Sequence, residues 1–551
     1  MLTRELSLPR AGEEYLLGKG EASLVILLFL LVLSLYSMNL SRSAITPDSA
    51  GYPLVSEQLL PGWMDGKPAY IWMGKLVFEG WNFFSRSRET LLKTFAFYSA
   101  LFGAMAAINV YFIFRALFAR RYLGGMVSLL LAFSPMFFYS AVTIEVYMFN
   151  IFWVTLTVLF WLRRRFILWG VAWGLSLSSH ITSLFLFFPF AFSLLSSHDR
   201  IEWKRILLGS CVTFIILVAA YGWVLSFYSS IPAFIEFYGS ISRNEYLRYP
   251  TPSWLVQSLK GFKEISAIYF VFSLGVIVCV RKQWRKALPA LILFPLVILY
   301  FNFYRHNIFL LCKSCGYLLT FLCLAAAFLL YARKEKRKQL YFLLLWLFPY
   351  VVLFLGWIQD GGQFYLYLVP AMSLITGGLF DELLRRNGLT MRDGSHGSPR
   401  SLMRSRIYLA VVVFLLTLLG GLYQKVATIR WYHNYLSPSD QYALQIKDKI
   451  PSKSVVGAGW MNPIIRFYAP GLQTLGFPFL GIPLDLFDFQ FMSTIQQSLK
   501  AGRNVFVTKE WLSQRNDVKT KLSRKKIERN FILIKINDDI YQVVAREQVS
   551  H

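Results

Sequence analysis

Apolar residues in this chain fall in blocks about as long as a bilayer requires, roughly 17–25 residues each, separated by short polar and basic stretches. Such blocks occupy residues 23–40, 93–117, 123–139 and 146–162. Others occupy 206–226, 266–280, 288–303, 316–331, 340–357, 364–380 and 407–422. The apolar stretch 166–195 is too long for one comfortable pass and short for two. The first block follows a mixed, polar N-terminal segment and precedes no small-residue cleavage site, so it predicts a retained helix. The pattern predicts a mainly α protein, a polytopic transmembrane helical bundle.

From about residue 440 the pattern changes. Residues 454–459 and 504–508 have the composition of short buried strands, and 490–501 that of an amphipathic helix. Residues 531–535 and 540–544 alternate around Asn537-Asp538-Asp539, a hairpin turn. The expected organisation is a transmembrane unit over 1–424, with a first outward loop at 41–92, and a small soluble C-terminal α/β domain over 425–551.

Charge orients the bundle. The chain carries 57 Lys and Arg against 30 Asp and Glu, a net +27, which in a soluble protein would point to nucleic acid. Here the positive charge gathers between apolar blocks: Arg115, Arg120 and Arg121; Arg163, Arg164 and Arg165; Arg200, Lys204 and Arg205; and further clusters at 281–286, 333–338 and 385–406. Reading 166–195 as a tight hairpin puts every one of these on the cytoplasmic side, as the positive-inside rule demands. A single pass there would export the later ones. The hairpin reading gives about thirteen spanning helices of bilayer length, with the C-terminal domain on the non-cytoplasmic side. It implies a multi-pass protein of the plasma (inner) membrane in a prokaryote, or of the endoplasmic reticulum in a eukaryote.

Candidate chemistry lies on that non-cytoplasmic side. Asp48 follows the first helix; in Pro47-Asp48-Ser49 it suits either a turn or a functional role. Glu145 is a lone carboxylate among apolar and aromatic residues at the start of 146–162. A carboxylate near hydrocarbon is costly, about 2.5–3.5 kcal/mol at the bilayer centre, so it either snorkels to the surface or faces a cavity shared with Asp48. His180 sits at the hairpin tip in Ser179-His180-Ile181-Thr182, as a hydrogen-bonded turn residue or as the lining of an outward-open recess. Lys67, Arg305 and His306 are outer basic residues, each an interfacial anchor or a phosphate ligand. Cys312 and Cys315 form a lone C-x-x-C with no second pair, so zinc is not indicated. There is no nucleotide-phosphate loop, Rossmann fingerprint or metal motif.

Asp48 with Tyr52, then Lys67-Pro68-Ala69-Tyr70, resembles the first-loop pattern of the GT-C superfamily of membrane glycosyltransferases. The likeness is strongest to the protein O-mannosyltransferase and aminoarabinose transferase families. Phe133-Ser134-Pro135, Glu145-Val146-Tyr147 to Asn150, Ser179-His180-Ile181-Thr182 and the later Phe364 to Pro370 run in the same order as in those families. Where the family carries an acidic pair and a Lys-Pro-Pro step, this chain has Asp48-Ser49 and Lys67-Pro68-Ala69. The resemblance implies a sugar donor on a polyprenyl or dolichyl phosphate and transfer to a hydroxyl acceptor with inversion. Asp48 would be the base and Glu145 its assistant, with Tyr52, Lys67, His180, Arg305 and His306 binding substrate. Metal dependence is left open, and the partners implied are the lipid donor, the acceptor and membrane lipids, not nucleic acid.

Two other readings use the same features. A transporter or flippase of lipid-linked glycans would need polar residues at mid-membrane and repeat symmetry, whereas the polar groups here favour the outer ends of helices. A non-catalytic membrane scaffold would use the exported C-terminal unit to hold a partner.

Overall fold

The computed structural model describes residues 19–44, 47–59, 67–85, 87–196, 202–226, 232, 334–356, 366–386, 429, 436–458, 461–475, 484–509, 512 and 527–546. Within them the chain is helical up to the C-terminal unit: α1 (Lys19–Ser37), α2 (Pro47–Gln58), α3 (Pro68–Phe84), α4 (Arg88–Phe118), α5 (Arg121–Ala132), α6 (Pro135–Val142), α7 (Val146–Leu162) and α8 (Phe166–Leu177). A 3-10 helix over Ile181–Leu186 leads into α9 (Phe187–Leu195), then come α10 (Trp203–Leu225), α11 (Lys334–Gly356) and α12 (Val369–Arg386). Among the described residues α1, α4 and α10 are long and apolar enough to cross a membrane, and α5 with α6 makes a fourth if that bent pair is one span. The predicted spans at 266–280, 288–303, 316–331 and 407–422 lie outside the described residues.

Two expectations change in detail. The first outward segment is not a loop, because its polar stretch folds into α2 and its aromatic stretch into α3. The block 123–139 is not one straight helix. Ser134 is extended (φ −62, ψ 133) and Pro135 opens α6, with a 67° bend. Proline lacks the amide proton that would continue α5 and disfavours helical geometry in the residue before it.

The helices order their ends consistently. Glu21 of α1 is buried in an ion pair with Arg115 of α4 and accepts the Tyr111 hydroxyl at 2.9 Å, while Arg120 meets Asp381 of α12 at 3.1 Å. Arg115, Arg120 and Arg121 therefore share one end of the bundle. The stretch 166–195 doubles back as expected. The Trp173 indole donates to the Ser183 carbonyl at 3.2 Å, and the Trp169 and Phe190 rings lie 5.8 Å apart.

α8 and α10 then run side by side in the same direction. Thr213 donates to the Gly170 carbonyl at 2.9 Å and Tyr221 to the Leu177 carbonyl at 3.3 Å, so both residue numbers rise together. Parallel neighbours require the intervening chain to return to the end from which α8 started. This is the geometry of a hairpin.

The C-terminal unit contains α13 (Pro438–Lys449), β1 (Val455–Gly457), α14 (Asn462–Tyr468), β2 (Gln473–Leu475), α15 (Leu484–Lys500), β3 (Val505–Thr508), β4 (Phe531–Lys535) and β5 (Ile540–Ala545). Its sheet has the order β2-β1-β3-β5-β4, with β1 parallel to β2 and β3, and β5 antiparallel to β3 and β4. Val455, Val505 and Val543 stand in register across its centre and pack on Ile495 of α15. The strands and amphipathic helix read from the sequence are present. The three-residue edge strand β2, too short to show alternation, adds to them.

Candidate active site

The end of the bundle opposite the basic residues gathers most of the predicted site. After α1 the chain turns out of the helix, and the Ser41 amide donates to the Val142 carbonyl at 2.9 Å. α2 follows. Ser49 in its first turn donates to the Ile144 carbonyl at 3.4 Å, one residue before Glu145. The backbone at Asp48 and the start of α7 are thus neighbours, although the Asp48 side chain lies outside the described residues. Glu145 is 3% exposed, so it does not snorkel to the surface. It is extended (φ −142, ψ 135) at the N-terminal edge of α7, a position where the helix dipole favours negative charge. Ser99 of α4 holds its backbone, accepting the Glu145 amide at 3.3 Å and donating to its carbonyl at 3.4 Å.

Lys67 precedes Pro68, whose fixed φ suits the first position of α3. Its ammonium donates to the Tyr52 hydroxyl at 3.0 Å. The Ala69 amide donates to the Ser178 carbonyl at 3.2 Å, so the start of α3 is joined to the hairpin tip. That junction brings Lys67 within electrostatic reach of His180. His180 is half-buried, and its Nδ1 lies 2.7 Å from the Thr182 hydroxyl.

Tyrosines surround these groups. His180, Tyr147 and Tyr367 form a triangle of rings with centroids 5.4–6.2 Å apart. Tyr70 packs on Tyr52 at 4.9 Å and on Tyr98 and Phe149 at 5.7 Å, within electrostatic reach of Glu145. A chain of aromatic contacts therefore links the Lys67 and Glu145 sides. Asn150 of α7 fixes the hairpin tip, donating to the Ser176 carbonyl at 2.7 Å and the Ser183 hydroxyl at 3.2 Å.

Tyr52, Lys67, Glu145 and His180 are thus brought to one place. Arg305 and His306 lie outside the described residues. Roles for Tyr70, Tyr98, Tyr147, Tyr367 and Ser99 are not assigned by the sequence reading. Tyr70, Tyr147 and Tyr367 lie within the motif segments that carry the resemblance, whereas Tyr98 and Ser99, inside α4, have no sequence signal beyond a polar group among apolar residues. Among the described residues no group of three or more His, Cys, Asp or Glu gathers in a way that would hold a metal ion.

No protein-family model matches the chain, and neither does any curated protein. In three dimensions it is similar to ArnT from Cupriavidus metallidurans bound to undecaprenyl phosphate, with a TM-score of 0.56 and 15% identity over 95% of this chain and 98% of that one. It is also similar to the oligosaccharyltransferase AglB from Archaeoglobus fulgidus in complex with an inhibitory peptide and a dolichol-phosphate, with a TM-score of 0.53 and 13% identity over 96% of this chain and 74% of that one. The apo form of the Archaeoglobus fulgidus oligosaccharyltransferase gives a TM-score of 0.55 at 12% identity over 97% and 75%. At these identities the likeness is one of fold. The fold shared is that of ArnT and of the Archaeoglobus fulgidus oligosaccharyltransferase.

Proposed function

We propose that this chain is an inverting, mannosyltransferase-like glycosyltransferase, which moves a sugar from a polyprenyl-phosphate donor to a hydroxyl acceptor at the non-cytoplasmic membrane face. One observation carries the reading. The first turn of α2, the start of α3, the start of α7 and the hairpin tip converge at the end of the bundle away from the basic loops. They bring a buried carboxylate and a tyrosine-held ammonium into one neighbourhood, in a fold shared with proteins solved with undecaprenyl phosphate and dolichol-phosphate. A lipid-linked donor presents its sugar at the interface and needs no nucleotide-binding motif.

In this mechanism Asp48 takes the proton of the acceptor hydroxyl as its oxygen bonds to the anomeric carbon. The bond from that carbon to the phosphate oxygen breaks, and the lipid phosphate leaves with the electron pair. General-base assistance of this kind contributes about 10²–10⁴-fold. Glu145 positions the acceptor or the sugar. The negative charge on the departing phosphate is met by Lys67, with Arg305 and His306 assigned to the same task. Tyr52 and His180 complete the substrate contacts. The transmembrane unit spans 1–424, and the C-terminal unit spans 425–551 on the same non-cytoplasmic side.

The test uses a labelled polyprenyl-phosphate sugar with membranes containing the full chain. Wild type transfers label to a hydroxyl acceptor, and Asp48→Asn abolishes transfer while expression and folding stay intact. Retained turnover in the variant removes Asp48 from the base role. No turnover by wild type across donors and acceptors removes the enzymatic reading.

A further inference from the structure

α2 lacks the means to fix its own position. It is 12 residues long, with Gly51 and Pro53 in its interior. A helix this short is marginal on its own even with good helix formers, and an interior glycine and proline weaken it further. What surrounds α2 sets where its first turn lies.

Much of what surrounds it belongs to the C-terminal unit. α13 opens with a capping box in which Asp440 accepts from the Ser437 amide at 3.2 Å, and the Ser437 hydroxyl receives the Asp440 amide at 3.1 Å. An ordinary capping box serves only its own helix end. Here the same Asp440 oxygen also takes the hydroxyl of Ser43, 397 residues earlier in the chain, and the Ser437 amide donates to the Ser43 oxygen at 3.1 Å. Ser43 and Asp440 are fully buried.

Ser43 lies at a bend in the short non-helical stretch between α1 and α2. The other edge of that stretch is held to α6 by the bond from Ser41 to Val142. The far end of α2 is held as well. Arg88 forks onto Glu57 at 3.0 and 3.3 Å while its guanidinium lies 5.4 Å from the centre of the Phe467 ring of α14, and α14 packs along α2.

We infer that Ser43 and Asp440 form a latch through which the C-terminal unit sets α2, and that Asp440 is a positioning residue for the reaction assigned to Asp48. The activity arm of the test rests on the glycosyltransferase reading; the exchange arm does not. A buried hydroxyl–carboxylate bond is directional. Its loss lets the stretch before α2 shift, and misplacing a reacting group by about 1 Å can cost on the order of 10²-fold in rate.

The experiment compares full-length wild type, Asp440→Ala, Asp440→Asn and, as a control far from the latch, Lys535→Ala, all in lipid nanodiscs. Asp440→Ala is expected to lower kcat by about tenfold to hundredfold with donor KM little changed. Asp440→Asn, which keeps an acceptor for Ser43, restores most of the loss, and Lys535→Ala behaves as wild type. Hydrogen exchange should show the amides of α2 losing protection in Asp440→Ala while β1, β3 and β5 keep theirs. Unchanged kcat, unchanged α2 protection, or joint loss of protection in α2 and the sheet overturns the inference. If wild type shows no turnover, the functional reading fails, and the exchange result alone decides the latch.

Discussion

The backbone of Gly170 in α8 rests against that of Gly209 in α10, so closely that a Cβ on Gly170 would overlap the Gly209 carbonyl. Two small residues at a helix crossing let the backbones approach where no hydrophobic effect drives association. The bonds from Thr213 to the Gly170 carbonyl and from Tyr221 to the Leu177 carbonyl fix the pair as parallel. Gly170→Ala must push backbone rather than a flexible side chain. Overpacking of this kind costs about 1–3 kcal/mol, so the thermal midpoint in nanodiscs should fall by several degrees. Gly222→Ala in the same helix meets open space and should leave the midpoint unchanged or slightly raised. Equal midpoints for wild type and Gly170→Ala would mean that the close crossing is absent.

The contact between Lys67 and Tyr52 predicts a separate effect. Removing the phenol oxygen in Tyr52→Phe deletes the acceptor that orients the Lys67 ammonium, without changing the aromatic packing on Tyr70. Hydrogen bonds to charged groups contribute about 1.5–3 kcal/mol, equivalent to about ten- to hundredfold in kcat/KM. The loss should appear with intact lipid-phosphate donors, and Lys67→Met should be at least as severe. Wild-type kinetics in Tyr52→Phe would remove the ammonium's orientation from the mechanism.

Much of this arrangement was legible in the sequence because it follows from period and charge. The hairpin followed from keeping Arg200, Lys204 and Arg205 with the other basic clusters. The parallel run of α8 and α10 shows that return directly. The alternation around Asn537-Asp538-Asp539 gave β4 and β5. α2 was not legible, because Gly51 and Pro53 weaken every local helix signal and its helical form depends on packing against α3 and α14. The tyrosine triangle with His180 was not legible either. Tyr147 and Tyr367 are 220 residues apart, and only the tertiary fold brings them together.

Glu145 is buried at a helix N-terminus, its backbone bonded to Ser99 and its carboxyl within electrostatic reach of Tyr70. Glu145→Gln keeps size and hydrogen-bonding capacity and removes only charge. If the carboxylate positions acceptor or sugar, kcat/KM should fall by about ten- to hundredfold, the scale of a lost charge-assisted hydrogen bond. A fall in stability with unchanged kcat/KM would instead assign Glu145 to folding alone.

Asp440 makes the latch sensitive to pH in a defined direction. Burial pushes its carboxyl above the ordinary 3.8, against the opposing hydrogen bonds from Ser43, Ser437 and Tyr468. Tyr468 of α14 faces the same carboxylate, and Glu89 of α4 adds negative charge nearby. The folded pKa thus exceeds the unfolded one, and the folded form holds the proton more tightly. The associated stability is complete below the unfolded value and is lost as pH rises through the raised folded value. Wild type should therefore lose thermal stability relative to Asp440→Asn as pH is raised from about 4 toward neutrality, because the amide has no proton to release. Differential scanning of both proteins across that range measures the gap directly. A wild-type advantage that grows with pH would mean that the hydrogen bonds to the charged form outweigh its burial.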